Sequence, residues 1–270
     1  MIQRHQSAFA TRISKIFNLK PDSIFLDLTL GDGGHTQEAL EAGAKVISFD
    51  VDPESISRSI SFLGDRYRPQ IINPDIDHDV QDFKWLIVRA NFSKAKEILT
   101  KLNLLPVDTI IADLGTSQYH FAATQRGFSF EGEAPLDMRL DPRLGVTAAD
   151  LLMALGEREL VKLFQIADEK FAKVIAKKIV KYRASQPIVN TLQLVSIILS
   201  VKPKLPHKIH PATKVFLSLR MAVNLERDAL SSLLLDLPHM VKKGGCIGII
   251  TFHSGEDRLV KVAQKKWVSL

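Results

Sequence analysis

The stretch Ile24-Phe25-Leu26-Asp27-Leu28-Thr29-Leu30-Gly31-Asp32-Gly33-Gly34-His35 carries an apolar run into a cluster of glycines. Glycines at such a point let a backbone approach a ligand that side chains would hold off. A second apolar run, Lys45 to Phe49, ends on Asp50. A carboxylate there can accept hydrogen bonds from both hydroxyls of a ribose. A third run, Trp85-Leu86-Ile87-Val88, leads to Asn91-Phe92, and the Phe92 ring can lie against an adenine. A fourth, Val107 to Ala112, closes on Asp113. A glycine turn, a ribose acceptor, an aromatic plate and a second acid make up the equipment of a nucleotide-type cofactor pocket.

These groups can meet only if the runs are neighbouring parallel strands. Each run is followed by a helical pattern: about Thr36 to Glu41, Pro53 to Phe62 with Asp52 and Glu54 at its start, and a helix capped by Ser93 that reaches about Leu102. Strand and helix in regular alternation imply a parallel sheet with right-handed crossovers, whose ligands sit at the carboxyl ends of the strands. Residues 66–84 read as a surface loop. After Gly115 the pattern changes. Residues 116–146 are loop-like, and 147–200 are helical, with Thr147 and Asp150 as a helix start. A long helix from about Ala212 to Leu237 then leads to a Gly244-Gly245 turn. A fifth strand follows from Cys246 to Phe252, buried on both faces, and it delivers His253-Ser254 to the same rim. A helix from Glu256 to about Lys266 comes last.

Two cofactors compete for the pocket. The dinucleotide fingerprint wants a third glycine after Gly31 and Gly33, and that position is Thr36. The alternative spacing is an acid, three residues, glycine, any residue, glycine. Asp27, Gly31 and Gly33 satisfy it, as is common in S-adenosyl-L-methionine enzymes of this sheet type, whose cofactor has no pyrophosphate. Net charge is +6 over 270 residues, which permits a nucleic-acid partner without requiring one. The single cysteine, Cys246, excludes an intrachain disulfide or a cysteine zinc cluster, and its apolar surroundings predict core packing. No metal site is expected. No apolar run reaches membrane-spanning length. Residues 1–20 carry basic but no acidic residues, as organelle leaders do. The spacing of Phe9, Ile13, Ile16 and Phe17 predicts instead an ordinary first helix.

Further blocks occur in order: Asp113-Leu114-Gly115-Thr116-Ser117, Arg126-Gly127-Phe128-Ser129-Phe130, Pro135-Leu136-Asp137-Met138-Arg139-Leu140-Asp141, His210-Pro211-Ala212-Thr213 and Phe252-His253-Ser254-Gly255-Glu256-Asp257-Arg258. With the glycine turn, they closely resemble the bacterial and organellar small-subunit ribosomal RNA cytosine-N4 methyltransferases, over nearly the whole chain. The resemblance implies an α/β class I S-adenosylmethionine-dependent (Rossmann-like) sheet domain formed by 1–117 and 209–270. It also implies a helical insertion, 118–208, that recognises RNA. The implied substrate is a decoding-centre cytidine of 16S-type RNA in the assembling small subunit. The implied compartment is the bacterial cytoplasm, with mitochondrion or plastid as the organellar alternative.

By the same resemblance the cofactor is held by Gly31, Gly33, Gly34, His35, Asp50, Phe92 and Asp113. A further family position, a glutamine, is His120 here. The family's N-terminal histidine matches His5 without a shift in spacing to Asp27, which argues against a cleaved leader. The family normally continues beyond the last helix with two more strands. Asp113 also shapes the base pocket, and Ser117 and His253 are candidates to touch the cytosine or its proton. Asp137 and Arg139 are either substrate contacts or an internal ion pair. Lys170 to Arg183, with Lys177 and Lys178 within it, is a basic run that can track phosphates. A nicotinamide oxidoreductase and a non-catalytic RNA-binding assembly factor are the competing readings.

Overall fold

The computed structural model describes residue 9 and residues 12–74, 76, 80, 82–122, 125–202 and 209–267. His5 lies outside them. The chain divides into a unit of Met1–Ser117 with Asp228–Leu270 and a unit of Gln118–Arg227. The second boundary falls at 227, later than the expected 208, because the helix Thr213–Val223 packs its buried side into the apolar core of the helical unit.

The first unit is a six-stranded sheet: β1 Ile24–Asp27, β2 Lys45–Asp50, β3 Gln70–Ile72, β4 Trp85–Arg89, β5 Val107–Asp113 and β6 Val241–Ile250. Every pair is parallel, in the order β3-β4-β2-β1-β5-β6. The helices are α1 Ile13–Ile16, α2 Gly34–Glu41, α3 Pro53–Tyr67 and, after a short 3-10 turn at Phe92–Lys94, α4 Ala95–Lys101. Late in the chain come α11 Glu226–Met240 and α12 Ser254–Trp267.

Alternation along the strands explains why the sheet is covered on both faces. Phe25, Val46, Trp85, Ile87 and Ile111 pack with Ile13, Leu40, Ile56 and Leu63 of α1 to α3. Their neighbours Leu26, Ile47, Leu86, Val88 and Ile110 pack with Leu99 of α4 and Leu230, Leu233 and Leu237 of α11. A parallel strand with helices on both sides has no polar face to show, which is why these segments read as unbroken apolar runs.

The second unit is helical: α5 Gln118–Ala122, α6 Ala148–Ala154, α7 Glu157–Ile166, α8 Ala172–Arg183, α9 Thr191–Leu199 and α10 Thr213–Val223. Leu152, Leu160, Phe164, Ile175, Ile179 and Phe216 lie at its core. Thr147 and Asp150 form a reciprocal capping box at the start of α6.

Several expectations need correction. The segment read as a loop after Arg66 contains β3, and α3 runs on to Tyr67 because Leu63 continues its buried stripe. The single helix expected over Ala212 to Leu237 is two. Leu225 turns left-handed (φ 51°), and the Asn224 side chain leaves the helix to donate to the Met138 carbonyl (2.8 Å) and accept from the Leu140 amide (2.7 Å). The first helix is short, and Phe9 and Ile16 are exposed while Ile13 is buried. Finally, β6 starts at Val241 and is not buried on both faces. It is the edge of the sheet among the described residues, so Lys242 to Cys246 face solvent and Cys246 is exposed rather than packed in the core. No helix among the described residues is long and apolar enough to cross a membrane.

Candidate active site

Register brings the strand ends level. Asp27 pairs with Ser48 and Ile111, Asp50 with Arg89, and Asp113 with Ile250. The turn after β1 is shaped by positive φ at Gly31 (52°) and Gly33 (75°), and Gly33 is the left-handed N-cap of α2. A Cβ at Gly33 would also lie 3.0 Å from Leu63 Cδ1, so α3 closes on bare backbone there.

The turn is tied from several sides. The Gly31 amide donates to Asp50 Oδ2 at 2.9 Å, and the Ser59 hydroxyl donates to the Gly31 carbonyl at 2.7 Å. Arg58 Nε donates to Asp32 Oδ1 at 2.8 Å. The other Asp50 oxygen accepts from the Asp52 amide (2.9 Å), and Asp52 caps α3. Each carboxylate oxygen has two lone pairs, so these backbone bonds orient Asp50 and still permit it to accept ribose hydroxyls.

Beneath the turn lies a buried polar chain. Asp27 is fully buried; Oδ1 accepts from the Thr29 amide (3.1 Å) and Oδ2 from the Thr36 hydroxyl (2.7 Å). Thr36 Oγ1 is 2.7 Å from Ser48 Oγ, which accepts from Trp85 Nε1 at 3.0 Å. Thr36 thus stands where a dinucleotide site would have its third glycine, and uses its hydroxyl to join helix to strand. Burial raises the Asp27 pKa above the ordinary carboxylate value, against the opposing pull of the His35 charge and the Thr36 and Thr29 hydrogen bonds.

His35 and Asp113 form the chemical centre of the rim. His35 Nε2 lies 3.2 Å from Asp113 Oδ2, and the Asp113 amide donates to Thr29 Oγ1 at 2.7 Å. Burial alone would push the imidazole pKa down, but the Asp113 hydrogen bond and the charges of Asp27 and Asp113 outweigh it and raise it above the ordinary histidine value. His35 Nδ1 and Asp113 Oδ1 are buried and have no hydrogen-bond partner in the protein. Leaving such atoms unmatched costs about 1–3 kcal/mol each. The pair therefore suits a ligand that carries its own donors and acceptors, as the amino-acid end of a sulfonium cofactor does.

The remaining sequence-derived positions fall on other elements of the two units. Phe92 is half-buried and packs against the sheet core; its 3-10 turn is capped by Asn91, whose side chain accepts from the Ser93 amide, rather than by Ser93. Gly34 opens α2, and Ser117 is half-buried in the segment after β5. His253 Nδ1 accepts from the Glu256 amide (3.3 Å) at the start of α12, while Nε2, 3.1 Å from Glu256 Oε1, is buried without a hydrogen-bond partner in the protein. The others belong to the helical unit. His120 is buried, with its ring 5.3 Å from that of Phe128. Arg139 donates to both Asp137 oxygens (2.8 and 2.7 Å) and to the Leu144 carbonyl (2.7 Å), the internal ion-pair arrangement. Lys173, Lys177 and Lys181 are exposed on one side of α8, Lys178 is half-buried, and Ile175, Ala176 and Ile179 are buried. Thr29, Thr36, Ser48, Arg58 and Ser59 were not anticipated as site-forming. Their partners lie on other elements, and only Thr36, at the missing-glycine position, gave a signal.

Residues 2–270 match the MraW methylase family. The chain belongs to that family. Among curated relatives it is 40% identical over 268 residues to the ribosomal RNA small subunit methyltransferase H of a Picosynechococcus strain, covering 96% of this chain and 83% of the relative. It is 39% identical over 264 residues to the enzyme of the same name from Desulforapulum autotrophicum, covering 95% and 80%. For that of Syntrophotalea carbinolica the figures are 36% over 267 residues, 96% and 79%. The protein is a methyltransferase with the class I sheet.

Proposed function

We propose that this protein transfers a methyl group from S-adenosyl-L-methionine to N4 of a decoding-centre cytidine in 16S-type small-subunit ribosomal RNA. It would act on the assembling subunit in the cytoplasm. The names of the relatives support the RNA class. The observation that carries the site is the pairing of His35 with Asp113 at the strand tips, with one polar atom of each left for a ligand.

Asp50 holds the ribose, the Gly31 to Gly34 backbone admits the cofactor closely, and Phe92 flanks the adenine. The bound cofactor supplies an electrophilic methyl on a sulfonium. Held there, it would supply the methyl group, and the cytosine amine that accepts it would give up one proton at this rim. Asp113 lies at the strand end where acceptance of that amine's hydrogen bond localises its lone pair, with Ser117 and His253 as further candidates for the base or its proton. No cysteine route competes: Cys246 pairs with Thr109, four residues short of the Asp113–Ile250 level, or about 13 Å along the strands. This supports direct attack by a nitrogen or oxygen of the base without a cysteine adduct, and the reading takes the N4 amine.

The helical unit, 118–227, is the RNA-recognition part in this reading. The exposed Lys173, Lys177 and Lys181, with Lys178 beside them, form a stripe suited to phosphates, while Asp137 and Arg139 shape the loop ahead of α6. The test is nucleoside mass mapping of small subunits incubated with the protein and labelled cofactor. N4-methylcytidine at one decoding-centre position is expected. Label on another base, on a ring carbon or on no nucleotide overturns the proposal.

A further inference from the structure

We infer that Phe252 is the plate on which the target base stacks. The inference rests on the proposed reading of the site as an RNA cytidine methyltransferase. Phe252 lies just past β6, and because Asp113 pairs with Ile250, it stands opposite Gly115, just past β5. Its ring edge confirms the register: Phe252 Cδ2 is 3.5 Å from where a Gly115 Cβ would be, and Gly115 sits at φ 100°, which favours glycine. The ring is nevertheless 65% exposed.

Its backbone is anchored. Glu256 Oε2 accepts from the Phe252 amide at 3.0 Å, and Glu256, which is buried, lies 3.1 Å from His253 Nε2. A phenylalanine left 65% exposed forgoes about 1–2 kcal/mol of the gain from full burial. Among the described residues of the sheet unit, it is more exposed than Phe92, the other aromatic ring at the strand ends, which is half-buried against the sheet core. It stands on the neighbouring strand, two residues beyond the level of Asp113, the acid this reading places at the reacting amine.

A cytosine in a helix hides N4 within a stack, so the substrate base must be unstacked to react. That loss is recovered if an aromatic face meets the extruded base, an interaction worth about 1–3 kcal/mol. Phe252 provides that face one strand away from the acid. The acid's own loop, Leu114-Gly115-Thr116-Ser117, has no aromatic residue.

The test compares Phe252→Leu, Phe252→Trp and wild type by labelled-methyl transfer to small subunits, with calorimetric titration by S-adenosylhomocysteine alongside. Leucine keeps apolar bulk without a π face. Stacking predicts a fall of about 10-fold or more in kcat for Phe252→Leu. KM for the subunit should stay within about 2-fold because phosphate contacts carry the affinity. Phe252→Trp should keep activity within about 3-fold of wild type, and all three proteins should bind S-adenosylhomocysteine alike. Full activity in Phe252→Leu, or a parallel loss of S-adenosylhomocysteine affinity, overturns the stacking role alone. A wild-type protein that binds S-adenosylhomocysteine but methylates no small subunit overturns the substrate reading and the stacking role with it.

Discussion

Thr36→Val isolates the buried chain beneath the cofactor turn. The two side chains have nearly the same shape, so no cavity forms, and only the hydroxyl is lost. Thr36 is fully buried and its hydroxyl serves two contacts of 2.7 Å, one to the Asp27 carboxylate and one to Ser48. A hydrogen bond to a charged group contributes about 1.5–3 kcal/mol and a neutral one about 0.5–1.5 kcal/mol. The expected loss is therefore about 2–4 kcal/mol in the sheet unit. Urea unfolding followed by tryptophan fluorescence is the suitable assay, because both tryptophans, Trp85 and Trp267, belong to that unit. With a slope of about 2 kcal/mol per molar, the midpoint should fall by about 1–2 M.

The sign of the pH dependence follows from Asp27. Burial lifts its pKa in the folded protein, so the folded state holds a proton that the unfolded chain releases, and stability falls as pH rises through that window. Removing the Thr36 hydrogen bond lifts the folded value further. The deficit of the variant should thus be largest at neutral pH and shrink as pH is lowered toward the ordinary carboxylate value. A midpoint within about 0.3 M of wild type at neutral pH, or a deficit that grows on acidification, refutes the reasoning.

Lys177→Ala with Lys178→Ala should weaken binding to small-subunit RNA and reduce the slope of log affinity against log salt by about 0.7 for each lysine that meets a phosphate. Affinity for S-adenosylhomocysteine should not change. Arg139→Lys keeps the charge but cannot donate to both Asp137 oxygens and the Leu144 carbonyl together, and should destabilise the helical unit by about 1–2 kcal/mol in thermal or urea unfolding. Burial raises the Asp137 pKa, but the Arg139 hydrogen bonds and charge outweigh it and hold the carboxyl below its usual range. The stability it contributes is present above the ordinary carboxylate value and lost as pH falls through the folded one. The Arg139→Lys deficit should therefore narrow in acid.

What the sequence reveals here follows the physics of a doubly covered sheet. The β1, β2, β4 and β5 runs are apolar because both faces are buried. β2 and β5 end on Asp50 and Asp113, which is why those acids are legible as strand-end residues. The edge was misread from the same apolarity: the apolar end of β6 resembles an inner strand, but Cys246 and Lys242 face solvent because no strand lies beyond among the described residues. The break between α10 and α11 depends on Asn224 reaching Met138, a contact far along the chain. The Trp85-Ser48-Thr36-Asp27 chain depends on strand register and on where α2 packs, which no local pattern records. The Glu256 amide that His253 Nδ1 accepts from depends on where α12 begins, which the local pattern at Phe252-His253-Ser254 does not record.

The most direct test of the central claim is calorimetric titration of S-adenosylhomocysteine into wild type and Asp50→Ala. Wild type should bind one molecule. Asp50→Ala should remain folded by circular dichroism and bind about 30-fold more weakly or worse, since it loses charge-assisted acceptance from a ribose and the tether to Gly31. Equal affinity in the two proteins would contradict the assignment of the cofactor to the strand tips.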